Sequence, residues 1–344
     1  MDKDDPGSYR YMNRRDSQAS AESSGAFSDC NSDRSGEFPL DSQLAHRLLV
    51  SSAADSYYSD ELVRVLIADL ESDSVETQLR AAMELRLLAK HSTENRVKIA
   101  RAGAIRPLVS LVNSTDPQLQ EHGVTAVLNL SLCDENKDLI AGAGAIKPLV
   151  RALKSGTPAA KENAACALLR LGQVENHKIA IGRSGAIPPL VGLLETGSFR
   201  GKKDASTALY MLCSAKENKL RAVRAGVMKP LLELMADTES GMVDKAAYVL
   251  NTLVGVPEAK TAVAAEDGIP VLVEMLEVGS QRQKEVAASI LLQICEESVA
   301  YRGMVAREGA IPPLVALSQA RATKSKDKAE ALITLLRQPR SENS

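Results

Sequence analysis

Apolar residues recur through most of the chain at positions i, i+3, i+4 and i+7, the spacing that places side chains on one face of an α-helix. This spacing is clearest in five blocks, which begin at Ala164, Ala205, Ala246, Ala287 and Ala329. Each block begins with a small residue, which allows another helix to approach closely. The pattern therefore predicts five long helices, each with one buried face.

A second motif, Gly-Ala-Ile-Pro-Pro-Leu-Val or a close variant, alternates with these blocks. Its copies begin at Gly103, Gly144, Gly185, Gly226, Gly268 and Gly309, with successive spacings of 41, 41, 41, 42 and 41 residues. So regular a period indicates a repeat array. A repeat array grows in one dimension, so the length of 344 residues does not imply several globular domains.

The boundaries of the predicted helices are periodic as well. Helix-capping residues stand at matched positions before the long helices: Asp116, Thr157, Ser198 and Ser280. Pro117 and Pro158 follow two of them, at the first helical position, where the missing N–H is tolerated. The recurring glycine is expected to end a short helix, such as residues 94–100, and to turn the chain into a second one. Each unit then contains three helices.

Three helices in about 41 residues are typical of armadillo repeats, whereas HEAT repeats normally have two. The strings Glu94-Asn95-Arg96, Leu128-Asn129-Leu130-Ser131 and Arg200-Gly201-Lys202-Lys203-Asp204-Ala205, together with the Gly-Ala-Ile motif, resemble the armadillo region of plant U-box ubiquitin ligases. The resemblance covers roughly residues 60–338. It implies an all-α, right-handed superhelical solenoid of about six to seven three-helix repeats.

The chain divides into three predicted parts. Residues 1–59 form a disordered arm rich in Ser and Asp, with a short helical lead-in at 44–50, and residues 339–344 form a tail. The solenoid units are approximately 60–90, 91–131, 132–172, 173–213, 214–254, 255–295 and 296–338. Residues 1–60 contain 11 acidic and 6 basic side chains, against 33 and 36 in the remainder. The serines of the arm serve either as phosphorylation sites or as a solubilising linker.

The composition limits the partners and the compartment. The net charge of -2 gives no general attraction to nucleic acid, and only four aromatic residues follow position 60 to stack on bases. No apolar run could span a membrane or act as a signal peptide. The five cysteines form no CxxC pair, which favours reduced thiols. We expect a cytoplasmic or nuclear protein that binds no nucleic acid and does not span a membrane.

Catalytic and cofactor motifs are not found in the sequence. The loop 197–203 has three residues between its glycines and a lysine where a phosphate-binding loop needs Ser or Thr. Gly142 and Gly144 lack the third glycine of a dinucleotide site. The four histidines have no second ligand at helical spacing, and there is no G-x-S-x-G elbow. We expect no cofactor, no metal and no catalysis, although spacing alone leaves a Ser, Cys or Thr nucleophile open.

Two rows of residues on the third helices are candidates for binding. The first, called here the Asn129 row, occupies one register position and consists of Asn129, Arg170, Met211, Thr252 and Gln293. Because it mixes polar and apolar groups, it suits an extended peptide segment in the concave groove that the resemblance implies. The second, called the lysine row, could receive acidic or phosphorylated segments and consists of Lys161, Lys202, Lys284 and Lys326. Neighbouring acidic residues favour a solvated helix edge as its simpler interpretation.

These features predict a monomeric scaffold or adaptor that binds a protein partner, in a ubiquitin-linked or signalling pathway by resemblance. Ligase activity is the first alternative, but the sequence before Glu61 has no Cys-Pro-Ile motif and no apolar core for a U-box. A transport adaptor is the second. Nuclear-import adaptors of this fold carry repeated Trp and Asn ladders, whereas this chain has no tryptophan and keeps only Asn129 at that position.

Overall fold

The computed structural model describes residues 56–319 and 323–338, and these residues form α-helices, one short 3-10 helix and no strand. In chain order the α-helices are α1 Ser56–Leu70, α2 Val75–His91, α3 Thr93–Arg101, α4 Ile105–Val112, α5 Pro117–Ser131, α6 Asp134–Gly142, α7 Ile146–Ser155, α8 Pro158–Leu171, α9 Glu175–Arg183, α10 Ile187–Thr196, α11 Phe199–Leu212, α12 Lys216–Arg224, α13 Met228–Ala236, α14 Val243–Leu253, α15 Pro257–Ala265, α16 Gly268–Val278, α17 Gln281–Cys295, α18 Val299–Arg307, α19 Ile311–Ser318 and α20 Thr323–Leu336. The all-α prediction is confirmed. Residues 1–55 of the predicted arm, with its lead-in helix at 44–50, and the predicted tail 339–344 lie outside the described residues. Residues 56–59, predicted as part of the arm, belong to α1.

From α3 onward, each repeat consists of two short helices and one longer helix, as predicted. The first predicted unit, 60–90, differs, because it contains only α1 and α2, of 15 and 17 residues. In the repeat α6–α7–α8, Gly144 has a left-handed backbone (φ +81°) between the two short helices. Thr157 caps α8, because its Oγ1 accepts a hydrogen bond from the N–H of Ala160 at 3.1 Å. The four predicted capping residues, Asp116, Thr157, Ser198 and Ser280, all accept such bonds. The side-chain chemistry of the sequence therefore sets the helix starts.

The turning glycine was predicted correctly in five repeats and wrongly in one. Five glycines of the motif have a positive φ: Gly103, Gly144, Gly185, Gly226 and Gly309. Gly268 instead begins α16, and the left-handed position is taken by Asp267, with φ 53°. Asp267 follows Gly226 by 41 residues, whereas Gly268 follows it by 42. The left-handed backbone position therefore recurs every 41 residues here, although the glycine of the motif does not. Asp is among the few residues that tolerate this conformation, because its short polar side chain can bond locally.

We expect that Asp267→Gly stabilises the protein. The left-handed conformation strains a residue with a Cβ, and Asp267 makes no compensating side-chain cap bond. Relief of this strain exceeds the extra chain entropy of glycine and gives about 0.5 kcal/mol, or a rise of about 1–2 °C in Tm. Glu308→Gly is the control, since Glu308 has an ordinary φ of -70° and should lose stability. A lower Tm for Asp267→Gly in thermal unfolding would contradict this explanation.

The described chain forms two compact bodies. The first comprises residues 56–230 and 252–266, and the second comprises 231–251, 267–319 and 323–338. In the first body the third helices α2, α5, α8 and α11 pack in succession, and α5, α8 and α11 also pack on the second helices α4, α7 and α10. In the second body α17 packs on α16 and α20, and α20 packs on α19. Successive repeats thus bury each other's apolar faces within each body.

Small residues make this packing possible. Ala164 and Ala205, which begin two of the apolar blocks, are 0% exposed. The same register position in α5 is Gly123, where an added Cβ would lie 2.9 Å from both Leu111 Cβ and Val112 N of α4. The second and third helices of this repeat therefore approach each other closely at this position, as the sequence predicts.

Candidate functional site

The Asn129 row lies near the ends of the third helices. In the first body, Arg170 on α8 and Met211 on α11 are partly exposed, and so is Thr252 at the end of α14. Tyr210, beside Met211, is partly exposed too. A cation, a thioether and an aromatic ring are thus presented at the C-terminal ends of two adjacent helices.

Asn129 does not match the expectation of an exposed side chain, because it is 0% exposed. Its Nδ2 donates a hydrogen bond to the main-chain oxygen of Arg86 at 3.0 Å, which ties α5 to α2. Its Oδ1 is buried and has no hydrogen-bond partner. Asn129 does lie near the end of a third helix, as its repeat position predicts. Its side chain is nevertheless enclosed, because α5 packs closely on α2.

Arg170 has an unusual environment. Its Nε is buried without a partner, and within the described ranges its guanidinium makes no hydrogen bond and no salt bridge. The nearby Asp134 carboxyl is held below its usual pKa, first by the hydrogen bond and charge of Lys137 and to a smaller extent by the charge of Arg170. Asp134 is therefore ionised at neutral pH and is already paired with Lys137.

Gln293 belongs to the second body and is engaged locally. Its Nε2 donates to Asn251 Oδ1 at 3.0 Å and to the main-chain oxygen of Ser289 at 3.3 Å. The side chain is still partly exposed. Gln293 can therefore offer its amide oxygen to a partner while its nitrogen stabilises the helix pair.

The lysine row has acidic or carbonyl neighbours in the second body. Lys284 Nζ donates to the main-chain oxygen of Glu277 at 2.8 Å, and Lys326 Nζ lies 3.8 Å from Glu330 Oε1. In the first body, Lys161 and Lys202 are partly exposed at the starts of α8 and α11. These contacts favour the interpretation of the row as a mixed-charge helix edge.

A polar network between third helices was not predicted from the sequence. Arg200 Nη2 donates to Asn163 Oδ1 at 2.7 Å, and Asn163 Nδ2 donates to Thr125 Oγ1 at 2.9 Å. Arg200 also lies 3.5 Å from Asp204 and 3.8 Å from Glu162. The network joins α5, α8 and α11. The sequence indicates this network only through two polar residues, Asn163 and Asp204, which occupy the same position in successive repeats.

A row of cations on the first helices was also missed. It recurs once per repeat at spacings of 41, 41, 41, 41 and 42 residues: Arg96, Lys137, Lys178, Lys219, Lys260 and Arg302. Arg96 donates to the main-chain oxygens of Ala89 and Lys90, and Arg302 donates to those of Cys295 and Glu296. These carbonyls end third helices, where cations are favoured. The period of the row could have revealed it.

The four described cysteines are free and buried. Burial raises the pKa of Cys213 to about 12 and that of Cys295 to about 12, so both thiols are protonated and weakly nucleophilic at neutral pH. No three or more His, Cys, Asp or Glu side chains in the described ranges are grouped as metal ligands. The described helices include none that is both long and apolar enough to span a membrane.

Comparison with known proteins gives a family match over most of the chain. The model of the plant U-box protein ARM repeat region matches residues 62–344. U-box domain-containing protein 4 of Arabidopsis thaliana is 71% identical over 242 residues, which are 70% of this chain and 29% of that protein. U-box domain-containing protein 14 of the same plant is 59% identical over 302 residues, 88% of this chain and 48% of its own. The chain therefore spans less than half the length of these relatives.

Solved structures show the same fold. An engineered protein matches with a TM-score of 0.72 and 27% identity, covering 80% of this chain and 68% of its own. A computationally designed armadillo repeat protein for modular peptide recognition matches with a TM-score of 0.51 and 20% identity, covering 79% and 99%. The second likeness concerns the fold alone.

Proposed function

The chain belongs to the family of plant U-box protein ARM repeat regions, and from this premise we propose that it is a protein-interaction scaffold. It binds an extended segment of a partner protein along the third helices of its first body. The single observation that carries this proposal is the partly exposed group of Arg170, Tyr210 and Met211 at adjacent helix ends. Arginine, tyrosine and methionine are enriched where proteins bind other proteins.

The chemistry of these residues supports a peptide as the bound group. Met211 and Tyr210 can contact an apolar side chain, and Arg170 can donate to a carbonyl or carboxylate oxygen. An extended segment presents both kinds of group at short spacing. The shared fold with a protein designed for modular peptide recognition supports the same kind of occupant. Cytoplasm or nucleus, where such partners occur, is the compartment we propose.

A ubiquitin-linked role is the second candidate, and the identity to U-box domain-containing proteins favours it. In this role the bound partner is presented for ubiquitination, or the chain itself takes part in ligation. An autoubiquitination assay with purified chain, ubiquitin, activating enzyme and a conjugating enzyme distinguishes a scaffold from a ligase. Ubiquitin chains form in this assay if the protein is a ligase, and none form if it is only a scaffold.

Groove substitutions test the scaffold proposal. We expect that the full-length chain carrying Arg170→Glu loses at least one protein that the unchanged chain retains in affinity purification from native tissue, because the reversed charge repels the bound segment. Arg106→Glu is the matched control, since Arg106 is an exposed arginine on the second helix α4.

The control should retain every partner. An identical set of partners for all three proteins would contradict the proposal and place recognition outside the Asn129 row. Circular dichroism of the variants verifies that they remain folded, so that a lost partner reports on the surface.

A further inference from the structure

We propose that the partner segment is acidic and that one of its carboxylates pairs with Arg170. This inference rests on the proposed function and specifies the chemistry of the segment that it binds. It depends on two observations in the first body: an arginine whose guanidinium makes no hydrogen bond or salt bridge, and an excess of positive charge.

Arg170 differs from the other arginines of the described third helices, each of which has a partner. Arg80 pairs with Asp69, Arg86 bonds to His122, Arg200 bonds to Asn163 and Arg282 bonds to Tyr248. Arg170 has no hydrogen bond or salt bridge in the described chain, and its Nε is enclosed. No hydrogen bond from the described residues holds its guanidinium in place, and a carboxylate can accept two hydrogen bonds from it.

Asn129, at the matching position on the adjacent helix α5, is 0% exposed, and its Oδ1 is buried. A bound segment therefore does not reach this amide while α5 is packed on α2. Recognition at these two helix ends depends on Arg170, whose guanidinium can pair with a carboxylate of an extended segment.

The charge of the first body agrees with this chemistry. Residues 56–230 and 252–266 contain 25 basic and 20 acidic side chains, whereas 231–251 and 267–338 contain 10 basic and 13 acidic. Near Arg170, the carboxylate of Asp134 is already bonded to Lys137. A positive field accelerates the encounter with an acidic segment, and this effect weakens in salt.

Three fluorescein-labelled peptides of twelve residues test the inference with the full-length chain. They share one sequence of Ala, Ser and Gly, with Glu, Gln or Lys at the same four positions. In fluorescence anisotropy at low salt, we expect the Glu peptide to bind about tenfold more tightly than the Gln peptide and the Lys peptide to bind least. Arg170→Gln should remove most of this preference, and Arg106→Gln, the exposed control on α4, should leave it unchanged.

Equal affinity for the Glu and Gln peptides, no binding of the Glu peptide, or an unchanged preference in Arg170→Gln would each overturn the inference. The scaffold proposal has a separate test. If affinity purification shows a partner that depends on Arg170 while the peptides show no acidic preference, the first body binds a segment of other chemistry. If the same partners remain in all variants, the scaffold proposal itself fails.

Discussion

Asn218→Ala is expected to lower the free energy of unfolding by about 3 kcal/mol, because it removes two buried hydrogen bonds that the Asn218 amide donates to other helices. Asn218 lies on α12 and is 0% exposed. Its Nδ2 donates at 2.9 Å to the main-chain oxygens of Lys178 on α9 and Leu212 at the end of α11. One side chain thus connects three helices of two successive repeats, and alanine can replace none of these bonds.

Equilibrium denaturation in guanidinium, followed by far-UV circular dichroism, measures the effect. Asn95→Ala is the graded control, since Asn95 is only partly buried and its Nδ2 donates to one carbonyl, that of Leu88, at 3.2 Å. It should lose about 1 kcal/mol. If the two variants lost equal stability, or if Asn218→Ala unfolded like the unchanged protein, the carbonyl contacts would not hold the repeats together as described.

Ala164→Leu should have the second largest effect and lower the free energy of unfolding by about 2–3 kcal/mol through overpacking. Ala164 is 0% exposed on α8, at the register position where α5 of the preceding repeat has Gly123. In the preceding repeat this position, Gly123, has no room even for a Cβ. Leucine adds three carbon atoms, so α8 must move away from its neighbours.

Ala159→Leu is the control, because Ala159 lies on the same helix with a partly exposed side chain. It should change the stability by less than about 0.5 kcal/mol. Thermal and guanidinium unfolding of both variants provide the comparison. Similar stabilities for the two would mean that the small residue at the beginning of the apolar block is not needed for close helix packing.

The elements that depend on local chemistry could be predicted from the sequence. Asp116 and Thr157 cap their helices by accepting hydrogen bonds from N–H groups two or three residues later. Because these contacts are local, the position of the residue in the sequence is sufficient to predict the cap. The turn at Asp267 could not be read from a glycine motif, because the backbone follows the period of the repeat and another residue can adopt the left-handed conformation.

The candidate site could be predicted only in part. Register correctly placed Arg170 and Met211 at third-helix ends, since angular position on a helix follows from sequence spacing. It did not reveal that Asn129 is enclosed, because burial depends on how closely α2 and α5 pack. Nor did it reveal that Arg200 bonds to Asn163, a contact across 37 residues of sequence. Such contacts arise from the stacking of repeats.

The most direct test of the scaffold proposal is photocrosslinking from the proposed surface. Benzoylphenylalanine is introduced into the full-length chain at Met211, or at the exposed Lys147 of α7 as a control, and each protein is irradiated in an extract of native tissue. We expect a crosslinked partner from position 211 that is absent from position 147 and is lost when Arg170→Glu is added. A partner that crosslinks from position 147 and not from 211 would contradict the assignment of binding to the third helices.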